Sequence, residues 1–293
     1  MLIRVSVTSE PQASLARETW RRLLRNRPAV CGLFLVTCCA LAALTAPVLA
    51  PYDASTDSDL ALRLRPPTLS APFGTDSLGR DVSVRVLHGA RYSLSIGVGS
   101  VLLAVAVGSV LGLLAGYLGQ WLDLVVMFCM DILLAFPSTL LAIAIVAMVG
   151  PGLGNSLLAI SLVSIPIYAR LIRSVVLSVR QEEYIAAARG VGASQPRILF
   201  RHIAPASIAP VVVQGSLGIA LGVLEAAALG FLGLGAQPPT PEWGAMLADS
   251  YKHFTSGAWW AFVFPGAAIA LAVLGFNLLG DGLRDLLDPK LRD

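Results

Sequence analysis

Six runs of apolar residues dominate this sequence, and each is long enough, or nearly so, to cross a bilayer as a helix. A spanning helix needs about 20 predominantly apolar residues. The runs cover residues 29–50, 92–117, 122–149, 155–171, 207–234 and 259–279. Apolar residues make up 56% of the chain and charged residues only 13%, which excludes most ordinary cytosolic enzymes and a disordered chain. The sequence therefore predicts an all-α integral membrane protein with six transmembrane helices.

The basic residues give the orientation of these helices. Most of the 21 Lys and Arg residues fall on the side of the N-terminus, and such an excess marks the cytoplasmic face. Both termini are therefore predicted to be cytoplasmic. The predicted segments are a cytoplasmic N-terminal tail (1–28), a first transmembrane helix (29–50), an outside loop (51–90), a five-helix core (91–280) that includes a long cytoplasmic loop (174–206), and a cytoplasmic C-terminal tail (281–293).

Two features modify this simple division. Residues 13–26 place Trp20, Leu23 and Leu24 on one face and arginines elsewhere, which predicts an amphipathic helix on the inner membrane surface. The third apolar run contains Pro137, and proline removes a helix hydrogen bond. We therefore expect that span to be kinked.

The long cytoplasmic loop has the pattern of two short helices around a break. Glu182 and Glu183 suit the first turn of the first helix, and Gly192 suits its end. Ser194 suits the N-cap of the second helix, and Pro205 is expected to stop that helix before the fifth span. A compact helical loop of this kind can dock into a groove of another protein. An ordinary solvated connection has the same pattern, so shape alone leaves both interpretations open.

Few polar residues lie inside the predicted spans. Asp131 and Glu225 are the clearest, and charges at that depth usually face a cavity or another helix. Each is interpreted as a path-lining or an inter-helix polar group. Gly108, Gly112 and Gly116 repeat every four residues, a spacing that lets helices approach closely. They are predicted to serve helix packing.

The sequence offers no catalytic residue and no metal site. Its three histidines fall in different loops without ligand spacing, and neither lysine lies in the Gly-x-x-x-x-Gly-Lys-Ser/Thr pattern of a phosphate-binding loop. The net charge of +3 is too small to indicate a nucleic-acid partner. The chain is therefore not expected to be an enzyme or to bind a cofactor itself.

The segment from Glu183 to Pro205 resembles the cytoplasmic "EAA" loop of ABC-importer permeases. The positions that match its pattern are Ala187, Ala188, Gly192 and Pro205. The positions that depart are Ala186 in place of Glu, His202 in place of Ile and Ala204 in place of Leu. Similar departures are usual in the peptide branch of this family.

Four other segments resemble the C-type permeases of the dipeptide, oligopeptide and nickel importers. They are Phe-Gly-Thr-Asp-Ser-Leu-Gly-Arg-Asp at 73–81, Asp-Ile-Leu-Leu-Ala-Phe-Pro at 131–137, Phe-Leu-Gly-Leu-Gly-Ala-Gln-Pro-Pro at 231–239, and Phe-Asn-Leu-Leu-Gly-Asp-Gly-Leu-Arg-Asp at 276–285. The strongest resemblance is to dipeptide or glutathione permeases, and nickel permeases are close relatives.

This resemblance implies a type I ABC-importer permease fold in the bacterial inner membrane, with the outside loop in the periplasm. It implies alternating access for small peptides and contacts with membrane lipid. The implied partners are a homologous second permease subunit, two cytosolic ABC ATPase subunits that bind ATP and Mg, and an extracytoplasmic solute-binding protein. The implied ATPase-coupling residues are Glu182, Glu183, Ala187, Ala188, Gly192, Ser194, His202 and Pro205.

Three alternatives remain at this stage. The first is a nickel-importer permease of the same fold. The second is a stand-alone gradient-driven transporter, which would need coupling-ion sites and usually paired repeats with broken helices; no convincing internal repeat is visible. The third is a membrane-bound enzyme, for which no catalytic constellation is present.

Overall fold

The computed structural model describes residues 24–53, 57–254 and 257–287. The predicted amphipathic helix over 13–26 therefore lies almost wholly outside the described residues. The α-helices are α1 (Arg27–Leu49), α2 (Val82–Leu118), α3 (Gln120–Leu134), α4 (Ser138–Val149), α5 (Leu153–Val179), α6 (Glu183–Gly190), α7 (Gln195–Ile198), α8 (Ile208–Phe231), α9 (Trp243–Phe254) and α10 (Trp260–Leu287).

The prediction of an all-helical membrane protein is confirmed. Helices α1, α2, α5 and α10 are each long and apolar enough to cross a bilayer, and so is the continuous helical run Gln195–Phe231 that contains α7 and α8. Helices α3 and α4 pass the same test together as a bent pair. The described residues thus contain five continuous candidate spans and a broken sixth.

Several helices extend beyond their predicted bounds. Helix α2 has 37 residues, or about 55 Å of length, which exceeds a hydrocarbon core of about 30 Å. It begins at Val82, whereas the predicted span begins at residue 92. The Asp81 carboxylate accepts the backbone N–H of Ser83 at 2.7 Å and caps the helix at this earlier position. The predicted outside loop is shortened accordingly. Helix α10 likewise continues to Leu287, so the described part of the predicted C-terminal tail is helical.

The third span is broken at Pro137, a larger distortion than the expected kink. Helix α3 ends at Leu134, Pro137 has extended backbone angles, and α4 begins at Ser138 at 90° to α3. The carbonyl oxygen of Pro137 accepts the N–H of Leu141 at 3.0 Å, so the new helix starts directly after the proline. Because proline donates no hydrogen bond and clashes with the preceding turn, the run cannot continue as one straight rod.

Helices α2 and α5 form the most extensive helix pair. Gly108, Gly112 and Gly116, here called the glycine stripe, lie on this contact. A Cβ atom on Gly108 would lie 2.8 Å from the Tyr168 Cβ, and one on Gly116 would lie 2.9 Å from the Val176 Cβ. A Cβ on Gly112 would overlap the carbonyl oxygen of Ala169. The two backbones therefore approach as closely as they do because these positions carry no side chain.

A buried ion cluster holds the segment 73–81 at the end of the bundle opposite α6 and α7. Asp76 accepts hydrogen bonds from Arg80 Nε at 2.8 Å and Arg85 Nη1 at 2.5 Å, and all three residues are buried. The adjacent Thr75 carbonyl accepts the indole N–H of Trp260, the first residue of α10, at 3.0 Å. The segment 73–81 thus joins the start of α2 to the start of α10.

A second buried acid, Glu242, caps the short helix α9. Its carboxylate accepts the N–H groups of Gly244 and Ala245 and the hydroxyl of Ser93 on α2, each at 2.9 Å. The Ser93 hydroxyl oxygen in turn accepts the N–H of Trp243 at 3.1 Å. Burial raises the pKa of the Glu242 carboxyl, although these hydrogen bonds oppose the shift. The group therefore ties α9 to α2 at the cost of desolvating an acid.

We expect Glu242→Gln to lower the stability of the protein by about 1–3 kcal/mol, because a carboxamide nitrogen cannot accept a hydrogen bond from the surrounding donors. The measurement is the thermal unfolding midpoint of the detergent-purified protein. Glu182→Gln is a matched control, since Glu182 also precedes a helix but is exposed and makes no side-chain cap hydrogen bond. Equal midpoints for the two variants would contradict this account of Glu242.

We also expect Gly112→Ala to destabilise the α2–α5 contact by roughly 1–3 kcal/mol, because the added methyl group must push the two helices apart. The same thermal measurement applies. The control is Gly154→Ala, at a helical glycine of α5 where an added Cβ has no neighbour within 4 Å. A Gly112→Ala protein as stable as the control would show that the close approach is not needed.

Candidate functional site

The segment 180–207 folds into a compact helical unit, here called the helical knob, at the end of α2 and α5. Ile185 of α6 and Ile198 of α7 are fully buried. They pack with Ile203 against Ile172 and Val176 of α5. Because apolar burial of this kind is the main source of attachment for a small helical unit, the knob is fixed to α5 and does not hang from it as a free loop.

Polar contacts attach the same knob to the end of α2. The guanidinium of Arg180 donates to the Gly116 carbonyl at 2.9 Å and lies 5.7 Å from the centre of the Tyr117 ring. The Tyr117 hydroxyl hydrogen-bonds to the side chain of Gln195, the first residue of α7. The knob therefore contacts both α2 and α5.

Gly192 ends α6 through a specific backbone arrangement. Its φ is +82°, a left-handed conformation that favours glycine. The N–H of Gly192 donates to the Arg189 carbonyl, and the N–H of Ala193 donates to the Ala188 carbonyl, both at 3.0 Å. These two bonds form a Schellman motif. No atom lies within 4 Å of a Cβ placed on Gly192, so the requirement inside this chain is conformational and not steric.

The outer surface of the knob carries both polar and apolar side chains. Glu182, Glu183 and Ala187 are exposed, and Ala188 is half-buried. Three further side chains, which the sequence analysis did not single out, are also exposed: Tyr184, Val191 and Phe200, with Val191 at 86%. The sequence signal that could have identified them is the presence of large apolar residues in a short loop that otherwise carries charges. Such a surface is typical of a contact with another protein.

The structure confirms the predicted N-cap position of Ser194 and corrects the prediction for Pro205. Ser194 occupies the N-cap position of α7, but its side chain makes no cap hydrogen bond. Pro205 does not stop the helix, because the run continues from Gln195 to Phe231. A π-helical segment (Leu199–Ile203) and a 3₁₀ segment (Ala204–Ser207) precede α8. These changes of hydrogen-bond register accommodate the missing N–H of Pro205.

His202, at an Ile position of the EAA pattern, lies in the π-helical segment. It is half-buried, and its ring centre is 6.5 Å from that of Tyr184. The histidine therefore packs beside an exposed aromatic residue of the same knob.

Asp131 forms an ion pair with Arg170 of α5. A second pair, Asp123 with Arg173, joins the same two helices nearer the knob. The sequence analysis named Asp131 but paired neither acid, because 39 and 50 residues separate the partners. The two ion pairs connect the first half of the broken span to α5.

Glu225 connects the second half of the broken span to α8. Its carboxylate accepts the hydroxyl of Ser138, the first residue of α4, at 3.0 Å. The geometry gives Glu225 an inter-helix contact. A path-lining role for Glu225 or Asp131 stays a prediction.

The described ranges 24–53, 57–254 and 257–287 contain no group of three or more His, Cys, Asp and Glu side chains placed to hold a metal ion. The polar groups described above are instead paired between helices or exposed on the knob. The paired groups therefore link α3 to α5 and α4 to α8.

Comparison with known proteins agrees with this architecture. Residues 108–293 match the family described as the binding-protein-dependent transport system inner membrane component. Residues 14–67 match the N-terminal transmembrane domain of oligopeptide transport permease C. The first match includes the glycine stripe, the broken span and the knob.

Individual relatives match over almost the whole chain. The dipeptide transport system permease protein of Alkalihalophilus pseudofirmus is 50% identical over 94% of this chain and 90% of its own length. The glutathione transport system permease protein of Pectobacterium atrosepticum is 49% identical over 94% and 91%. The di/tripeptide transport system permease protein of Pseudomonas aeruginosa is 47% identical over 94% and 93%.

These matches confirm the resemblance drawn from the loop 174–206 and the four other segments. The apolar helices and the family match together show a multi-pass protein of the inner membrane. The chain therefore belongs to the family of inner-membrane components of binding-protein-dependent transport systems, and it is a permease subunit of the ABC-importer type.

Proposed function

We propose that this chain forms, with a homologous second permease subunit, the membrane path for small peptides, including dipeptides and glutathione. The observation that carries the proposal is the near-full-length identity to permeases named for dipeptide, di/tripeptide and glutathione transport. A solute-binding protein outside the membrane delivers the cargo. Two cytosolic ATPase subunits bind ATP and Mg and drive the alternation of the path between its two open states.

The helical knob is the proposed contact with an ATPase subunit. Its inner side is buried against α5 by Ile185 and Ile198, while Tyr184, Val191 and Phe200 are exposed on the same unit. An exposed apolar surface on a firmly attached helical unit suits a groove in a partner. Glu182, Glu183, Ala187 and Ala188 lie at this surface, whereas Gly192, Ser194, His202 and Pro205 shape the knob.

Cargo is tested by uptake in a strain that lacks this chain and in the same strain complemented with it. The labelled panel is a dipeptide, a longer peptide, glutathione and nickel ion. We expect dipeptide or glutathione uptake to be lost and then restored by complementation. Loss of nickel uptake alone would contradict the peptide assignment and favour the nickel-importer alternative.

Coupling is tested at Gly192. We expect Gly192→Glu to reduce co-purification of the ATPase subunits, and uptake with it, by at least about tenfold, since it strains the cap and adds a charge at the docking surface. Gly233→Glu is the matched control. Gly233 has a φ of +76° and equally open surroundings, but it follows α8 at the other end of that helix.

If Gly192→Glu retained the ATPases and wild-type uptake at normal expression, the knob would not be the coupling element. Loss of the ATPases from both properly folded variants would show that the effect is not specific to the knob and would contradict the assignment. If wild-type protein transported peptide without any co-purifying ATPase, the stand-alone gradient-driven transporter would be favoured.

A further inference from the structure

The ion pair between Asp131 and Arg170 lies well away from the knob, measured along both of its helices. Asp131 is eleven residues into α3, or about 16 Å along the axis, and Arg170 is nine residues before the end of α5, or about 14 Å. A hydrocarbon core is about 30 Å thick. Measured from the knob end of each helix, both distances are about half of that thickness.

The pair is nevertheless open on the surface of this subunit. The side chain of Asp131 is 59% exposed and that of Arg170 is 48% exposed. Charged groups at such depth are strongly disfavoured in contact with lipid chains. The face that carries this pair must therefore meet water or protein in the assembled importer.

A second ion pair on the same two helices shows what a purely structural contact looks like here. Arg173 donates to both carboxylate oxygens of Asp123, once from Nε and once from Nη2 at 2.6 Å. The side chain of Arg173 is only 33% exposed and that of Asp123 only 22%. This two-point geometry satisfies both partners within the chain, so the pair needs no further ligand.

Asp131 and Arg170 are satisfied much less completely. A single hydrogen bond, from Nη2 to Oδ1, joins them, and no other hydrogen bond links either side chain to the described part of the chain. One carboxylate oxygen and most of the guanidinium N–H donors remain available. At this depth below the knob ends of α3 and α5, these groups need water or a polar ligand.

We propose that Asp131 and Arg170 form a charged contact point for peptide in the translocation path, a proposal that rests on the proposed function. A peptide with free termini has an ammonium group and a carboxylate. The carboxylate of Asp131 receives the ammonium, and the guanidinium of Arg170 receives the carboxylate, each by ordinary charge-assisted hydrogen bonds. Because the two residues already neutralise each other, the empty path has no net charge here and retains no single peptide tightly.

The test uses the whole importer and compares maximal uptake rates for three dipeptides with acidic, neutral and basic side chains. Asp131→Asn leaves Arg170 without its partner and should raise the ratio of acidic to basic uptake at least about threefold. Arg170→Gln leaves Asp131 without its partner and should lower that ratio at least about threefold. Half-saturating concentrations should change little, since these reflect capture by the binding protein.

The controls are Asp123→Asn and Arg173→Gln, which break the neighbouring ion pair on the same helices. They should slow all three dipeptides by a common factor and leave the acidic-to-basic ratio unchanged. Opposite ratio shifts in the two Asp131 and Arg170 variants, with none in the controls, would support the contact point.

Two results would overturn it. In the first, all four variants change every dipeptide equally, which would make the pair a structural contact between α3 and α5. In the second, Asp131→Asn and Arg170→Gln lose the second permease subunit on purification, which would place the pair at the subunit interface. Failure of the proposed function itself would be distinct, because wild-type importer would then take up none of the three dipeptides.

Discussion

The close approach of α2 and α5 is the contact on which the remaining structure depends. Gly108, Gly112 and Gly116 allow the two backbones to meet, and any larger side chain there would separate them. Lipid chains offer helices no net hydrophobic reward for associating, so small residues and close van der Waals contact must hold the pair together. The knob is attached to this pair at one end through Ile172, Val176 and Tyr117. Ser93, on the same α2, contacts Glu242 at the other end. One helix pair thus positions the elements at both ends of the bundle.

The two ends of the bundle are stabilised by different interactions. The knob depends on apolar side chains packed against α5, with few ionic contacts. At the opposite end, buried charges dominate: Asp76 with two arginines, and Glu242 with three hydrogen-bond donors. A buried acid is costly unless it is paired with a cation or hydrogen-bonded. Asp76 is paired with two arginines, and Glu242 accepts three hydrogen bonds. Such groups fix one arrangement of loops and helix starts, because any displacement would leave a buried charge without its partner.

The sequence was sufficient to predict features that depend on neighbouring residues or on a regular spacing. The spans follow from apolar runs, the glycine stripe from a four-residue repeat, and the end of α6 from Gly192. Features that depend on distant residues were not predicted. Ser93 and Glu242 are 149 residues apart, and nothing in either local pattern indicates the other. Pro205 was predicted wrongly because a local rule about proline ignores the π-helical and 3₁₀ turns that accommodate it. The exposure of the Asp131–Arg170 pair likewise becomes visible only when the helices are in place.

Helix α5 connects the proposed docking surface with the proposed cargo contact. It contributes Ile172 and Val176 to the packing of the knob, and Arg170 and Arg173 to the ion pairs with α3. These four residues lie within two turns of one another, so they move together if the helix moves as a rigid unit. A shift of the knob would therefore displace Arg170 and strain its single hydrogen bond to Asp131, whereas the two-point pair at Arg173 would resist the same shift. The contact between α3 and α5 is therefore expected to open more easily at Asp131 and Arg170 than at Asp123 and Arg173. In the proposed path, a passing peptide would meet the two charges at that position.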